Sequence, residues 1–216
     1  MTSTDTSPVE FWFEFGSNYS YLSVMRIEAM AAAAGVPLVW KPFLLGPVFR
    51  ELGMDDSPFV LNPVKGRYAW RDMERQAKKY ALEFNKPTQF PRMALLPMRV
   101  ALLGADQSWM GAFCKRVMQQ NFADDLDIND VANVRSALTA LVPDPDAILA
   151  AAQGSDNKLR LRTQTEEAMR RGLFGAPTFM VGDEMFWGND RMEDAITFAA
   201  EGQGTRADLG SSFDQS

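Results

Sequence analysis

Four groups of residues in this chain have the types and spacing to do chemistry. Ser17-Asn18-Tyr19-Ser20 follows the aromatic run Phe11-Trp12-Phe13-Glu14-Phe15-Gly16 and opens a helical pattern. A helix N-terminus offers partly positive backbone N–H groups that favour an anion. A hydroxyl there cannot exchange disulfides, but it can donate a hydrogen bond to a thiolate brought by another molecule. Ser17 also fits an ordinary N-cap, and Ser20 reads as structural. Pro177, in Ala176-Pro177, opens a strand where its missing N–H does no harm. If that peptide bond is cis, the backbone of Ala176 stands beside Ser17, and a peptide-like ligand can pair with it as an added strand. Gly188-Asn189-Asp190-Arg191 reads as a helix cap followed by a solvated charge. The same residues suit a ligand with an α-amino acid end, Asp190 holding the ammonium and Asn189 with helix N–H groups holding the carboxylate. Asn62-Pro63-Val64-Lys65-Gly66-Arg67 is either a loop leading into a helix or the source of a cation, Lys65, for a second carboxylate of that ligand.

Two absences narrow the chemistry further. The 216 residues contain no histidine, which excludes Ser-His-Asp triads, Cys-His pairs and histidine-ligated zinc. The only cysteine, Cys114, permits neither an intrachain disulfide nor a Cys-x-x-Cys pair, and its helical spacing puts it on an apolar face. Independence from disulfides fits a cytoplasmic protein. A net charge of −6 argues against nucleic acid as a partner. Residues 1–10 lack the basic and apolar regions of a signal peptide, and no stretch approaches the roughly 20 apolar residues of a membrane span. Asp125, Asp127 and Asn129 begin like a calcium loop, but Asp130 and Ser136 stand where glycine and glutamate are needed.

The elements that must position these residues follow from periodicity. Residues 9–15 read as a buried strand, and Tyr19, Leu22, Met25, Ala29, Met30 and Ala33 recur at helical spacing until Gly35. Residues 36–43 form a second strand, giving a βαβ unit with parallel strands. Residues 44–63, with two glycines and three prolines, read as a loop. Helical patterns then cover 65–84, 93–103, 107–122, 130–141, 144–153 and 156–171. Residues 176–181 and 184–187 pair as a hairpin around Gly182-Asp183, and a last helix runs to about residue 200. The expected architecture is α/β: segments 9–45 and 172–201 build one discontinuous domain of order βαβ…ββα. An all-helical domain, 46–171, is inserted between them, and 1–8 and 202–216 are flexible tails.

Together these pieces resemble the 2-hydroxychromene-2-carboxylate isomerases and the kappa-class glutathione transferases, in the DsbA-like branch of the thioredoxin superfamily. The residues carrying the resemblance are Phe13-Glu14-Phe15-Gly16-Ser17-Asn18-Tyr19-Ser20-Tyr21-Leu22, and Lys65-Gly66-Arg67-Tyr68 with Asp72 and Arg75. Gly172-Leu173-Phe174-Gly175-Ala176-Pro177-Thr178-Phe179 adds to them. Val181-Gly182-Asp183-Glu184-Met185-Phe186-Trp187-Gly188-Asn189-Asp190-Arg191 is the most specific stretch. The resemblance implies a thioredoxin-like fold and glutathione as cofactor. It implies that Ser17 hydrogen-bonds the glutathione sulfur and that Ala176, before a cis Pro177, pairs with the cysteinyl backbone. Asn189 and Asp190 would receive the γ-glutamyl end, with Lys65 near the glycine carboxylate or the substrate.

The implied activity is a glutathione-dependent cis–trans isomerisation of 2-hydroxychromene-2-carboxylate, a small aromatic pyruvate-type substrate of aromatic degradation, by a homodimer. Two residues depart from the family pattern: Asn18 stands where a proline is frequent, and Arg92 follows Phe90-Pro91 where asparagine leads. Both face the substrate side in this reading, with Arg92 or Lys65 orienting the substrate carboxylate. The alternatives are a kappa-class-like transferase or peroxidase, and a non-catalytic thioredoxin-fold protein that holds peptides at Ala176 and Pro177.

Overall fold

The computed structural model describes residues 7–202. The tails expected at 1–8 and 202–216 fall outside that range except for residues 7, 8 and 202. The described residues form a four-stranded mixed sheet of order β2-β1-β3-β4. Its strands are β1 (Val9–Phe13), β2 (Leu38–Pro42), β3 (Thr178–Val181) and β4 (Glu184–Trp187). β1 is central because it is apolar on both faces: Val9, Phe11, Trp12 and Phe13 are all fully buried. It runs parallel to β2, with Phe11 opposite Trp40, and antiparallel to β3, with Phe11 opposite Phe179. One face carries Phe11 and Phe13 against Trp40 and Phe179, and the other carries Trp12 against Phe43, Val48 and Met180.

The expected single helix after β1 is two helices, α1 (Asn18–Val24) and α2 (Ile27–Ala33), broken at Met25 and Arg26. Arg26 turns its side chain back: Nε donates to the Leu22 carbonyl at 3.1 Å, and the guanidinium lies 3.6 Å over the Tyr80 ring. α1 is seven residues long.

Residues 44–63 are not the expected loop. They contain α3 (Leu45–Glu51) and the short α4 (Pro58–Leu61). Pro47 and Pro58 sit in first turns, where the backbone N–H has no intrahelical partner to lose, so they start helices here. Ser57 caps α4 by accepting from Phe59 N at 3.3 Å, and Asn62 caps α5 (Pro63–Lys79) by accepting from Lys65 N at 3.0 Å. The helices α6 (Leu95–Gly104), α7 (Met110–Phe122), α8 (Val131–Leu138), α9 (Pro145–Ala152) and α10 (Ser155–Arg170) follow before β3. After β4 come a 3-10 turn (Asn189–Arg191) and α11 (Met192–Ala200).

The helices between β2 and β3 share one core with the sheet. Phe15 meets Phe113 edge to face at 6.1 Å, and Tyr21 stacks on Phe122 at 5.5 Å. Cys114 is fully buried in that core, and burial pushes its thiol well above the usual range. Among the described residues no helix is long and apolar enough to cross a membrane.

Close approach sets the α4–α5 corner. A Cβ added to Gly66 would stand 2.3 Å from the Phe59 carbonyl oxygen, a backbone atom that cannot step aside alone. Gly66→Ala is expected to lower stability by about 1–3 kcal/mol, read as an earlier midpoint in urea unfolding.

Candidate functional site

The loop between β1 and α1 is pinned before any ligand is considered. Ser17 has an extended backbone, and its Oγ accepts from Ser20 N at 3.3 Å as the cap of α1. The Ser17 N–H donates to the Glu14 carbonyl at 3.1 Å. The Asn121 Nδ2 on α7 donates to the Phe15 carbonyl at 2.9 Å. Gly16 is needed at this turn: a Cβ there would lie 3.0 Å from the Arg92 carbonyl and 3.0 Å from the Glu14 carboxylate.

The Ala176–Pro177 peptide is cis, and it faces this loop. Ser17 Oγ donates to the Ala176 carbonyl at 2.8 Å, joining two segments 159 residues apart. The Ala176 N–H has no partner among the described residues. The Pro177 carbonyl accepts from Gly188 N at 2.9 Å, which ties the cis-proline turn to the 3-10 turn beyond β4.

Around this junction opens a cavity of about 1040 Å³. Ser17, Asn18, Arg92, Ala176, Pro177, Asn189 and Asp190 all line it, so seven of the eight residues singled out from the sequence are brought together. Aromatic and aliphatic side chains, among them Phe49, Phe59, Phe90, Phe174 and Trp187, make much of its wall. Asn18 is 1 % exposed; its Oδ1 accepts from Tyr19 N, and its Nδ2 is a buried donor with no partner. Asn189 is buried, and its Oδ1 accepts from Ser23 Oγ at 3.2 Å and Arg26 Nη2 at 2.9 Å. Those bonds leave the Asn189 Nδ2 without a partner among the described residues. Asp190 is exposed and pairs with Arg191 at 3.1 Å. Gly188, at φ 108, brings its backbone under the Asp190 carboxylate, where a Cβ would stand 2.6 Å from Oδ1.

Two expected residues sit differently from the rest. Lys65 is exposed on α5 and does not line the cavity. Arg92 borders the cavity, but its side chain is only 5 % exposed and both its terminal nitrogens are engaged. Nη1 donates to the Asn121 carbonyl at 3.2 Å and to Asn121 Oδ1 at 3.1 Å. Nη2 donates to Thr88 Oγ1, to the Asp125 carbonyl at 3.2 Å and to the Asp125 carboxylate. Arg92 therefore has no fork left for a substrate carboxylate. It holds Asn121, which holds the Phe15 carbonyl two residues before Ser17.

Four further groups were not singled out from the sequence. Arg50, at the end of α3, lines the cavity, is exposed and has no ion pair among the described residues. It escapes notice when 44–63 is read as a loop. Arg26 orients Asn189, and no pattern in the chain marks it. Tyr19 donates to Asp72 at 2.9 Å, and burial with that bond raises the phenol above its usual range. Glu14 lines the cavity three residues before Ser17, and an acid inside an aromatic strand run is itself a signal. Burial pushes its carboxyl up to about 8, against a smaller opposing effect of the Gly16 N–H, which donates to Oε2 at 3.1 Å.

Comparison with known proteins bears on the family and the fold. A 2-hydroxychromene-2-carboxylate isomerase of Sphingobium xenophagum is 27% identical over 198 residues, 87% of this chain and 95% of that protein. A glutathione S-transferase kappa 2 of Caenorhabditis elegans is 26% identical over 207 residues, 89% and 92% of the two chains. The solved structure of a 2-hydroxychromene-2-carboxylate isomerase superposes with a TM-score of 0.78 at 24% identity, covering 89% of this chain and 94% of that one, and shows the same fold. The family profile described as a DSBA-like thioredoxin domain matches residues 8–197, which takes in every strand, the cis-proline turn and the helices between β2 and β3. On that match the chain belongs to the DSBA-like thioredoxin domain family.

Proposed function

We propose that this chain is a glutathione-dependent cis–trans isomerase acting on 2-hydroxychromene-2-carboxylate-type compounds, small aromatic pyruvates. One observation carries the reading: a serine hydroxyl, not a cysteine pair, meets the carbonyl before the cis-proline at 2.8 Å. The site then has no thiol of its own, but it has a donor for a thiolate that is brought to it.

The residues present fit glutathione. It is a peptide with an α-amino acid end, and the cavity offers an unpartnered Ala176 N–H and the free Asn189 Nδ2 beside Asp190. When bound, glutathione supplies a thiolate nucleophile, whose reversible addition to a conjugated double bond permits rotation and return to the isomer. Ser17 has one proton to donate, so turning its hydroxyl toward sulfur releases the Ala176 carbonyl, which then accepts from the ligand's backbone N–H. Asn189, fixed through Oδ1 by Arg26 and Ser23, presents Nδ2 to a carboxylate, and Asp190 draws the neighbouring ammonium. The cation placed to orient the substrate carboxylate is Arg50, in place of Arg92 and Lys65. Space supports a second ligand, since the cavity exceeds what a tripeptide alone needs.

The kappa-class relative favours a second reading, in which the thiolate stays joined to its electrophile. Product analysis by NMR separates the two. The isomerase reading expects trans-o-hydroxybenzylidenepyruvate from 2-hydroxychromene-2-carboxylate, a rate that requires reduced glutathione, and no net loss of thiol. Stoichiometric thiol consumption would favour the transferase. No turnover with saturating glutathione would remove the isomerase reading.

A further inference from the structure

We propose that Glu14 acts as a neutral carboxylic acid in the cavity, donating a hydrogen bond from Oε1 to the substrate oxygen on which negative charge builds. The inference rests on the isomerase reading above and adds a catalytic residue to it. Glu14 directly follows the central strand, three residues before Ser17, and lines the same cavity. Its two carboxyl oxygens are not equivalent. Oε2 accepts from the Gly16 N–H at 3.1 Å, while Oε1 has no partner among the described residues. A proton therefore belongs on Oε1, the oxygen that is free to turn to a ligand.

The surroundings hold that proton in place. No cation pairs with Glu14 among the described residues. The charged groups around the cavity are Arg50 on α3, Asp55 and Asp56 before α4, Asp72 on α5 with Tyr19, and Asp190 and Arg191 of the 3-10 turn. None of them contributes to the displacement of Glu14; burial does, pushing its carboxyl up to about 8. Arg92, whose carbonyl borders the same turn, directs its guanidinium away to Asn121 and Asp125. Attack on a double bond conjugated to a pyruvate carbonyl moves charge onto the ketone oxygen, as an enolate. A preorganised neutral donor stabilises that charge more than it stabilises the ground state. Proton count is unchanged, since Glu14 keeps its proton throughout.

The test joins a direct titration to kinetics. Carbon-13 NMR of glutamate-labelled protein, with Glu14→Gln to assign the signal, is expected to show the Glu14 carboxyl titrating around 8 without any ligand. The glutathione-dependent rate of the native protein is expected to fall as pH rises through that titration. Glu14→Gln keeps a neutral N–H donor, so it is expected to lose about tenfold in rate and to lose the alkaline fall. Glu14→Ala is expected to lose roughly 100-fold at all pH values. Calorimetric affinity for reduced glutathione is expected to stay within a few-fold in both variants. A Glu14 signal titrating in the ordinary carboxylate range, or Glu14→Ala at the native rate with glutathione still bound, would overturn this assignment alone. A native protein that binds no glutathione would overturn it together with the isomerase reading.

Discussion

Ser17→Ala is expected to lower glutathione-dependent turnover by about 10²–10³-fold and leave the protein folded. The hydroxyl is the donor aimed at the bound sulfur, and the loss of one such preorganised donor has that magnitude. Its structural share is smaller. Oγ caps α1 through Ser20 N, and loss of a cap costs about 0.5–2 kcal/mol. The Ala176 carbonyl loses its partner but stands in the cavity, within reach of solvent. Steady-state kinetics with a thermal melt separate the two contributions. Calorimetry adds a second reading: reduced glutathione should bind more weakly to the variant, while S-methyl glutathione, which carries no thiolate, should bind both proteins alike. An unchanged rate in the variant would remove Ser17 from the chemistry.

Arg92→Met is expected to show the largest loss of stability, about 3 kcal/mol, with an earlier midpoint in urea. Methionine replaces the length of the side chain but none of its donors. The cost arises at Asn121, which is 1 % exposed and loses the donor to both its carbonyl and its Oδ1. Asn121 Nδ2 anchors the Phe15 carbonyl, so the turn carrying Glu14 and Ser17 loosens as well. Turnover is therefore expected to fall too, through displacement of Ser17, and Arg92→Lys is expected to rescue little because one ammonium cannot replace a fork. The Asp125 carboxyl is held below the usual range, first by the Thr88 N–H and then by Arg92. A depressed carboxyl gives its stability above its unfolded value and loses it as pH falls through the folded one. The native protein should resist acid better than Arg92→Met, which circular dichroism across pH 5 to about 2 can follow.

Much of this was legible in the chain. The βαβ…ββα order reads directly from β1, whose aromatic run is buried on both faces, and from Pro177 and Gly182 around β3. Ser17, Ala176, Pro177, Asn189 and Asp190 converge because they sit at the ends of elements that the sheet brings side by side. What was not legible has physical causes. Pro47 and Pro58 read as breakers, yet a proline in a first turn starts a helix, so α3 and the exposed Arg50 were hidden. Arg26 interrupts an apolar ridge through a contact with Tyr80, 54 positions away, which no local period reports. Arg92 and Lys65 are the right residue type for a carboxylate. Only the three-dimensional arrangement shows that one is already engaged and the other lies outside the cavity lining. Glu14 was visible as an acid within a buried strand run, but its free oxygen was not.

The central claim is that Ser17 holds a bound thiolate. The direct measurement is the ultraviolet absorbance of the glutathione thiolate as a function of pH, with saturating protein and with Ser17→Ala alongside. The expected result is a bound thiol that ionises at lower pH than free glutathione, a shift that Ser17→Ala removes or sharply reduces. A bound thiol that ionises as it does free in solution, in the native protein and the variant alike, would contradict the account.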